Sequence, residues 1–500
     1  MKKVELIFIP SPGIGHLVST VEMAKLLVAR DHCLHVTVLV MKLPFETKVS
    51  TYLHSLSSSS SSSSFSNISA RISFVILPHD HNNTLADSNP GLFLNQFAEI
   101  QKPHVREAVA AKLIHSRDKS SADHESDSPP RLAGFVIDIF CTTMKDVAEE
   151  FGIPTYVFFT SSASFLRLMF HITDLKDEEN IDTTDFKDDP NTDLVVPGIL
   201  NPVPASVLPG VVLLKDSAPL MLTHARRMRD SKGILVNTFA ELESHAIRSL
   251  SETSEFPPVY SVGPILNPER THHGSDIIKW LDDQPPSSVV FLCFGSMGGF
   301  SEEQVTEIAI ALENSGVRFI WSLRQPPPKN AFTPPTDYDD PSQVVSKEFL
   351  DRTVGIGKII GWAPQVDILS HPAIGGFVSH CGWNSILESL WFGVPMATWP
   401  LYAEQQFNAF EIVKEMKLGV EIKLDYRTAG FYSGANDEVV IVNAQEIETG
   451  IRKLMENESD VRKRVKQVSE KSKQALMDGG PSYSSLKSFI ETVMVNLPSS

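Results

Sequence analysis

The segment from Trp362 to Gln405, WAPQVDILSHPAIGGFVSHCGWNSILESLWFGVPMATWPLYAEQ, constrains the fold more than any other part of the chain. Ile359 and Ile360 predict the end of a buried strand, and Pro364 breaks the pattern just after Trp362. Gln365 to Ser370 predicts a short helix closed by Pro372, and Phe377 to Ser379 a second strand. His380-Cys381-Gly382-Trp383-Asn384-Ser385 then leads into a helix whose apolar positions Ile386, Leu387, Leu390 and Trp391 recur with a helical period. Gly393 and Pro395 stop that helix. A strand, a glycine turn and a helix start make a pocket for an anion. The first helical amides lack internal partners, and the aligned peptide dipoles place partial positive charge there. Gly382 lets the backbone approach a phosphate, while Asn384, Ser385 and the His380 imidazole add donors. Glu388, one turn further, is placed to accept from two ribose hydroxyls, as the acidic residue of a dinucleotide fold does.

With W-A-P-Q, H-P-A-x-G-G-F-V-x-H-C-G-W-N-S, E-S and P-x-x-A-E-Q in that order, the segment resembles the signature box of the plant family 1 UDP-dependent glycosyltransferases. The resemblance implies a GT-B fold: α/β, two Rossmann-like doubly wound domains facing across a cleft. It also implies a UDP-sugar site. Trp362 stacks on uracil, with Ala363 and Gln365 in the same set and Gln365 near base and ribose. His380, Asn384 and Ser385 hold the phosphates around Gly382, and Glu388 binds the ribose. Trp383, Glu404 and Gln405 face the sugar, a pattern that fits glucose, although Glu404 stands where many members carry aspartate. Elementary chemistry agrees: an indole face suits a flat base, and a carboxylate beside an amide pairs with vicinal hydroxyls. Trp391 is expected in the core.

Five hundred residues allow two or three domains. A hydrophobic share of 42% with 21% charged residues is that of a soluble globular chain. The formal charge of −17 argues against nucleic acid or anionic membrane as partner, since both draw affinity from Lys and Arg. A nucleotide sugar held by amides and neutral donors is unaffected by it. Cys33, Cys141, Cys293 and Cys381 show no metal-ligand or disulfide spacing, which fits a reducing compartment. Lys2 and Lys3 precede an apolar run that Glu5 interrupts and Pro10 ends, too short for a signal-peptide core. No stretch approaches an uninterrupted membrane span. The expectation is a cytoplasmic monomer, with the glycosylation patterns at Asn67, Asn82 and Asn457 as chance matches.

In the N-terminal half, Val4 to Ile9 predicts a strand, Pro10 to Gly15 a glycine turn, and Val21, Ala24, Leu27 and Val28 one face of a helix. Gly13 and Gly15 lack the third glycine of a dinucleotide fingerprint, and His16 stands just past the turn. A histidine there suits a general base, with helix capping as the competing use; the resembled family carries its base in this loop. Ala133 to Ile139 is a strand, and Asp138 near its end needs a partner if buried. Pairing with His16 would fix the imidazole tautomer and stabilise the imidazolium; a plain helix cap is the alternative. The resemblance makes Asp138 the orienting carboxylate and places Thr160, after the strand Thr155 to Phe159, against the transferred sugar. Strands are also expected over His35 to Met41 and Ile72 to Leu77. Ser57 to Ser64 and Arg117 to Pro130 read as surface loops.

Further on, Lys176 to Asp193 is acidic and loop-like, in a region that supplies much of the acceptor pocket in such enzymes. Ile234 to Asn237 and Thr238 to Leu250 give a strand and a helix. Val289 to Phe294 followed by Gly295-Ser296-Met297-Gly298-Gly299 opens a second sheet, with Ser296 and nearby amides placed for a phosphate or simply forming a tight turn. Phe319 to Leu323 continues that sheet. Gln325 to Ser342 is a proline-rich loop containing Asp337-Tyr338-Asp339, formally a D-x-D metal pattern, discounted because no strand holds both carboxylates at an ion. Tyr426 to Glu438 is another loop, Ala444 to Asp478 a long helical region, and Ser484 to Val495 a final helix. The expected organisation is an acceptor-binding domain over 1–262, a linker over 263–275, a UDP-sugar domain over 276–478, and a helix over 479–500 that packs back on the first domain.

The reaction these features imply is inverting transfer of glucose from UDP-glucose to a hydroxyl or carboxyl of a small lipophilic metabolite such as a flavonoid, another phenolic or a terpenoid, without metal or cofactor. Rival readings are an NAD(P)-dependent oxidoreductase, which wants the intact G-x-G-x-x-G that the first loop lacks; a phosphorylase-like retaining transferase; and a nucleotide-sugar binder without catalysis, which should have lost His16 or Asp138, both of which are present.

Overall fold

The computed structural model describes residues 3–43, 47–58, 70–78, 90–119, 129–267, 275–327, 333–428 and 440–498. Two parallel sheets carry the fold. The first is built from β1 (Val4–Ile9), β2 (Leu34–Val40), β3 (Ile72–Ile76), β4 (Arg131–Asp138), β5 (Thr155–Phe159), β6 (Ile234–Val236) and β7 (Val259–Ser261), in the order β3-β2-β1-β4-β5-β6-β7. Every residue of β1 is buried, as befits a central strand covered on both faces. Its one charge, Glu5, is held by Thr37 Oγ1 at 2.5 Å and Lys112 Nζ at 2.7 Å. Helix α1 (Ile14–Arg30) lays Leu17, Val21, Ala24, Leu27 and Val28 on this core.

The second sheet comprises β8 (Val289–Cys293), β9 (Arg318–Ser322), β10 (Gly357–Ile360), β11 (Ile374–Ser379), β12 (Met396–Thr398) and β13 (Gly419–Glu421), in the order β10-β9-β8-β11-β12-β13. Trp321 and Trp399 fill its core, and Phe291 stacks on Phe377 with centroids 5.2 Å apart. Numbered within its own sheet, the second set of strands runs 3-2-1-4-5-6 and the first 3-2-1-4-5-6-7, the dinucleotide-fold order with one strand added in the first; ligands of that fold bind at the carboxyl ends of the strands where the order reverses. Those switch points lie between β1 and β4 and between β8 and β11. The register there sets Ile9 opposite Ile137 and Cys293 opposite Ser379. Asp138 is thereby the last residue of its strand in the first sheet, and His380 the first residue beyond its strand in the second.

The chain divides into two compact units: Met1–Ile181, Pro219–Asn267 and Ala475–Ser500 form one, Asp182–Ala218 and Pro268–Gln474 the other. The C-terminal helix Pro481–Val495 packs Leu486, Phe489 and Val493 into the core of the first unit. Phe489 meets the rings of Tyr156 and Tyr260 edge-on, and Tyr260 Oη lies 2.7 Å from Thr492 Oγ1. Burying each such apolar side chain stabilises the fold by roughly 1.5–3 kcal/mol. Residues 182–218 cluster with the second unit for a reason that no pattern in the chain announces. Arg427 donates to the carbonyls of Ser206 (2.8 Å) and Leu208 (2.6 Å), and Glu415 accepts from the amides of Leu200 (2.9 Å) and Asn201 (2.6 Å).

Several local expectations change. A helix over Pro90–Lys119, with Pro103 inside it, takes up the start of the stretch read as an insertion, of which 120–128 lie outside the described residues. Ser57 and Ser58 end a helix, Thr47–Ser58, and the rest of the serine run also lies outside them, as do 268–274 of the linker and 429–438 of the late loop. The helix after β6 begins only at Ser244. The region 444–478 is two helices, Ala444–Leu454 and Asp460–Leu476. The proline-rich stretch contains a short antiparallel pair, Arg324–Gln325 with Thr336–Asp337. Trp391 is half-buried at the surface, with Lys473 Nζ 5.7 Å from its ring, instead of in the core. Among the described residues no helix is long and apolar enough to cross a membrane.

Candidate active site

Beyond β1 the chain turns at Gly13, whose φ of +123° is open only to glycine at low cost. Helix α1 starts at once, which puts His16 in its first turn. Across the switch point Asp138, 2% exposed, receives three donors. Its Oδ2 lies 2.8 Å from His16 Nδ1; its Oδ1 accepts a short hydrogen bond from Ser11 Oγ and one from the Phe140 amide at 3.2 Å. With Nδ1–H facing the carboxylate, the imidazole lone pair resides on Nε2. Thr160 Oγ1, just past β5, stands 3.4 Å from the same Nδ1. His16, Asp138 and Thr160 therefore come together, and Ser11 and the Phe140 amide join them. Behind His16 the Phe140 ring stands edge-on at 6.0 Å and also meets His224 at 6.2 Å. Burial lowers the pKa of His224 to about 4, and its Nδ1 is 2.6 Å from Thr142 Oγ1.

The second switch point is built from glycine and amide instead. Helix α2 (Trp383–Phe392) begins after Gly382, which brings no capping side chain, so its first amides are left for another partner. Cys381 holds a φ of +63°, strained for a side chain with Cβ, and its carbonyl is gripped by Asn408 Nδ2 at 3.0 Å. The His380 ring, 7% exposed, lies between Gly382 and Gly295. A Cβ on Gly382 would stand 2.7 Å from its Nε2, and one on Gly295 would overlap it. Burial lowers the pKa of His380 to about 4, so it is a neutral donor, and its Nδ1 is buried with no hydrogen-bond partner among the described residues. Gln365 Nε2 donates to Ser385 Oγ (2.9 Å) and Glu388 Oε2 (2.7 Å). Burial raises Glu388 to about 7, and the Gln365 hydrogen bond offsets part of that rise.

His380, Gly382, Asn384, Ser385 and Glu388 thus follow one strand end and run into one helix, Gln365 reaches them from the start of its own short helix Gln365–Leu369, and Ser296 is exposed on the loop after β8. Trp362 is 44% exposed, and Ala363 beside it is buried. Two further predicted residues are buried. Trp383 is 2% exposed. Gln405 turns Oε1 back to accept from the amides of Leu401 (2.9 Å) and Tyr402 (3.0 Å). That clamp holds a loop in which Ala403 has φ +56°, immediately before Glu404. Spacing along the chain carries no sign of that clamp, nor of Ser11 and Gly295 as facing residues.

The family model described as UDP-glucoronosyl and UDP-glucosyl transferase matches residues 247–440. UDP-glucose flavonoid 3-O-glucosyltransferase 6 of Fragaria ananassa is 53% identical over 508 residues, covering 99% of this chain and 100% of that protein. The chain belongs to the plant family 1 UDP-glycosyltransferases. Solved glycosyltransferase structures agree with the fold. A Siraitia grosvenorii UGT in complex with UDP superposes with a TM-score of 0.85 at 48% identity, covering 98% of this chain and 100% of the other. A Medicago truncatula UGT complexed with UDP-glucose does so at 0.81 and 40%, covering 98% of each. This UDP-glycosyltransferase is a GT-B protein with one Rossmann-like sheet in each unit, and each sheet's switch point carries a histidine in a different setting.

Proposed function

We propose that the enzyme transfers glucose from UDP-glucose, with inversion, to a hydroxyl of a small lipophilic metabolite, a flavonoid or another phenolic. The observation that carries this reading is the His16–Asp138 pair at 2.8 Å on the first switch point. Asp138, fixed by Ser11 and the Phe140 amide, orients the imidazole; Nε2 takes the acceptor's proton as the oxygen attacks the anomeric carbon. The bond from that carbon to the diphosphate oxygen breaks in the same displacement, and Asp138 stabilises the imidazolium. General-base help of this kind contributes about 10²- to 10⁴-fold.

In the same reading Trp362 and Ala363 receive the uracil, Gln365 and Glu388 the ribose, and Thr160 and Glu404 the sugar. The diphosphate lies against the first amides of α2, Asn384, Ser385, His380 and Ser296. These donors point at the charge that grows on the leaving oxygen, which makes a divalent ion dispensable. Gln405 serves through the loop it holds. The names and ligands of the relatives, UDP-glucose and a flavonoid acceptor among them, support glucose as donor sugar and a phenolic acceptor. The buried thiols of Cys141, Cys293 and Cys381 support work in the reducing cytoplasm. The test is to incubate the enzyme with UDP-glucose and a panel of flavonols and to read the anomeric proton coupling of the product. A β-glucoside is expected from the α-linked donor; an α-glucoside would remove the single-displacement mechanism.

A further inference from the structure

Asp337, the first carboxylate of the D-x-D-like motif, is committed to another partner. Arg324 Nε lies 2.8 Å from its Oδ1, and the guanidinium also donates to the carbonyls of Thr336 (3.3 Å) and, at short range, Pro335. Arg324 is 8% exposed although it carries a charge, and burying a charge is costly unless it is paired and hydrogen-bonded. Its Cζ lies 5.3 Å over the ring of Trp362, which is 44% exposed. The backbone before that indole is shaped to the same arrangement. Ser322 Oγ donates to the Gly361 carbonyl at 2.7 Å, and a Cβ on Gly361 would stand 2.6 Å from both Asp337 carboxylate oxygens. The short strand pair, the ion pair and the glycine therefore converge on the back of one indole.

We propose that Arg324 is the positioning residue of the nucleobase platform: held by Asp337, it backs Trp362 and so fixes the plane on which a uracil ring stacks. This rests on the reading of Trp362 as the base platform. A half-exposed indole without support must be ordered when ligand binds, and that ordering weakens binding; a guanidinium already packed on its face removes the loss in advance. The D-x-D-like motif then serves the nucleotide through an arginine and an aromatic ring.

The test measures UDP affinity by titration calorimetry, and steady-state constants, for R324M, R324K, D337N, W362A and the double variant R324M/W362A. R324M is expected to weaken UDP about 3- to 10-fold and to raise the UDP-glucose KM by the same factor. Its kcat at saturating donor and its acceptor KM should stay within about two-fold, a split that general unfolding would not produce. D337N, at an exposed position that leaves the core intact, should act in the same direction by about 2- to 3-fold, and R324K should restore part of the loss. In the W362A background R324M should add nothing. Normal UDP affinity in both R324M and D337N, or an undiminished R324M effect without the indole, would overturn the proposal while W362A still binds UDP poorly. If W362A itself binds UDP normally, the platform reading falls, and this inference with it.

Discussion

The two switch points share a strand order and differ in what stands opposite the histidine. In the first, His16 faces the Asp138 carboxylate, which is itself fixed by a serine and an amide. In the second, His380 faces the turn at Gly295 and the bend at Gly382. A carboxylate across the gap makes an imidazole a proton acceptor held in one tautomer. Glycine across the gap makes it a wall: dry, neutral and close to backbone amides. In the proposed reading one topology thus yields a base in one unit and an anion cradle in the other. The partner residue sets the chemistry, and the histidine alone does not.

The comparison breaks first, and by the largest factor, at His16. H16A is expected to lower turnover by about 10²- to 10⁴-fold. Its UDP affinity should stay within about two-fold, because in the proposed reading the nucleotide is held by residues of the second sheet's switch point. Initial rates and calorimetric titration on the same preparation check both halves. An H16A enzyme that keeps near-normal turnover would show that Asp138 orients something other than the base.

The second switch point is probed at Gly295. Its φ is +74°, and an added Cβ would overlap His380 Nε2. G295A therefore strains the turn and pushes the imidazole out of its slot. The expected loss of UDP affinity is on the order of tenfold or more, from the strain alone. The donor KM should rise, and kcat at saturating UDP-glucose should fall as well, because His380 is among the donors proposed to meet the charge on the leaving oxygen. A rise in donor KM with kcat unchanged would mean that the cradle holds the bound donor without favouring departure of the diphosphate.

How far the sequence foretold these two sites follows from the physics of each part. The strands were legible because central parallel strands are covered on both faces and so appear as unbroken apolar runs, as in Val4–Ile9 and Val289–Cys293. The glycine turns after β1 and β8 follow from the same reading, and so does the placing of His16, Asp138 and Glu388 at strand ends or a helix start. What could not be read were contacts between residues distant in the chain. Ser11 reaches Asp138 across 127 positions, and Arg427 claims the carbonyls of Ser206 and Leu208 across some two hundred. The helix Pro90–Lys119 escaped because Pro103 interrupts it and its apolar residues do not keep to one face. Trp383 and Gln405 show the same limit: the burial of the indole and the hold of Gln405 Oε1 on the amides of Leu401 and Tyr402 depend on packing that the motif does not spell out.

The smallest effect distinguishes the two sites by their proton balance. Glu388 is held near 7 by burial, against an ordinary value near 4.5, and Gln365 supplies one hydrogen bond to its anion. Ribose hydroxyls donating to the carboxylate stabilise the charged form further, so UDP binding must expel a proton wherever the carboxyl carries one. UDP affinity is therefore expected to rise with pH through about 7, and to fall below it by up to about tenfold per pH unit. E388Q should bind UDP about tenfold more weakly at pH 8, with the Glu388-linked part of the slope gone. Ionisation of the diphosphate itself is common to both proteins and cancels in the comparison. Stability carries the opposite sign. Because the folded carboxyl is the weaker acid, the native state gains on the unfolded chain at low pH and loses ground as pH rises from about 4.5 to about 7. E388Q should therefore melt a few degrees higher than the parent at pH 8 and no higher at pH 4.5. A wild-type affinity that is flat from pH 6 to pH 8 once the E388Q curve is subtracted would mean that the ribose does not meet this carboxylate. The cradle would then hold its ligand without this carboxylate, by the helix amides, Asn384, Ser385, Ser296 and His380.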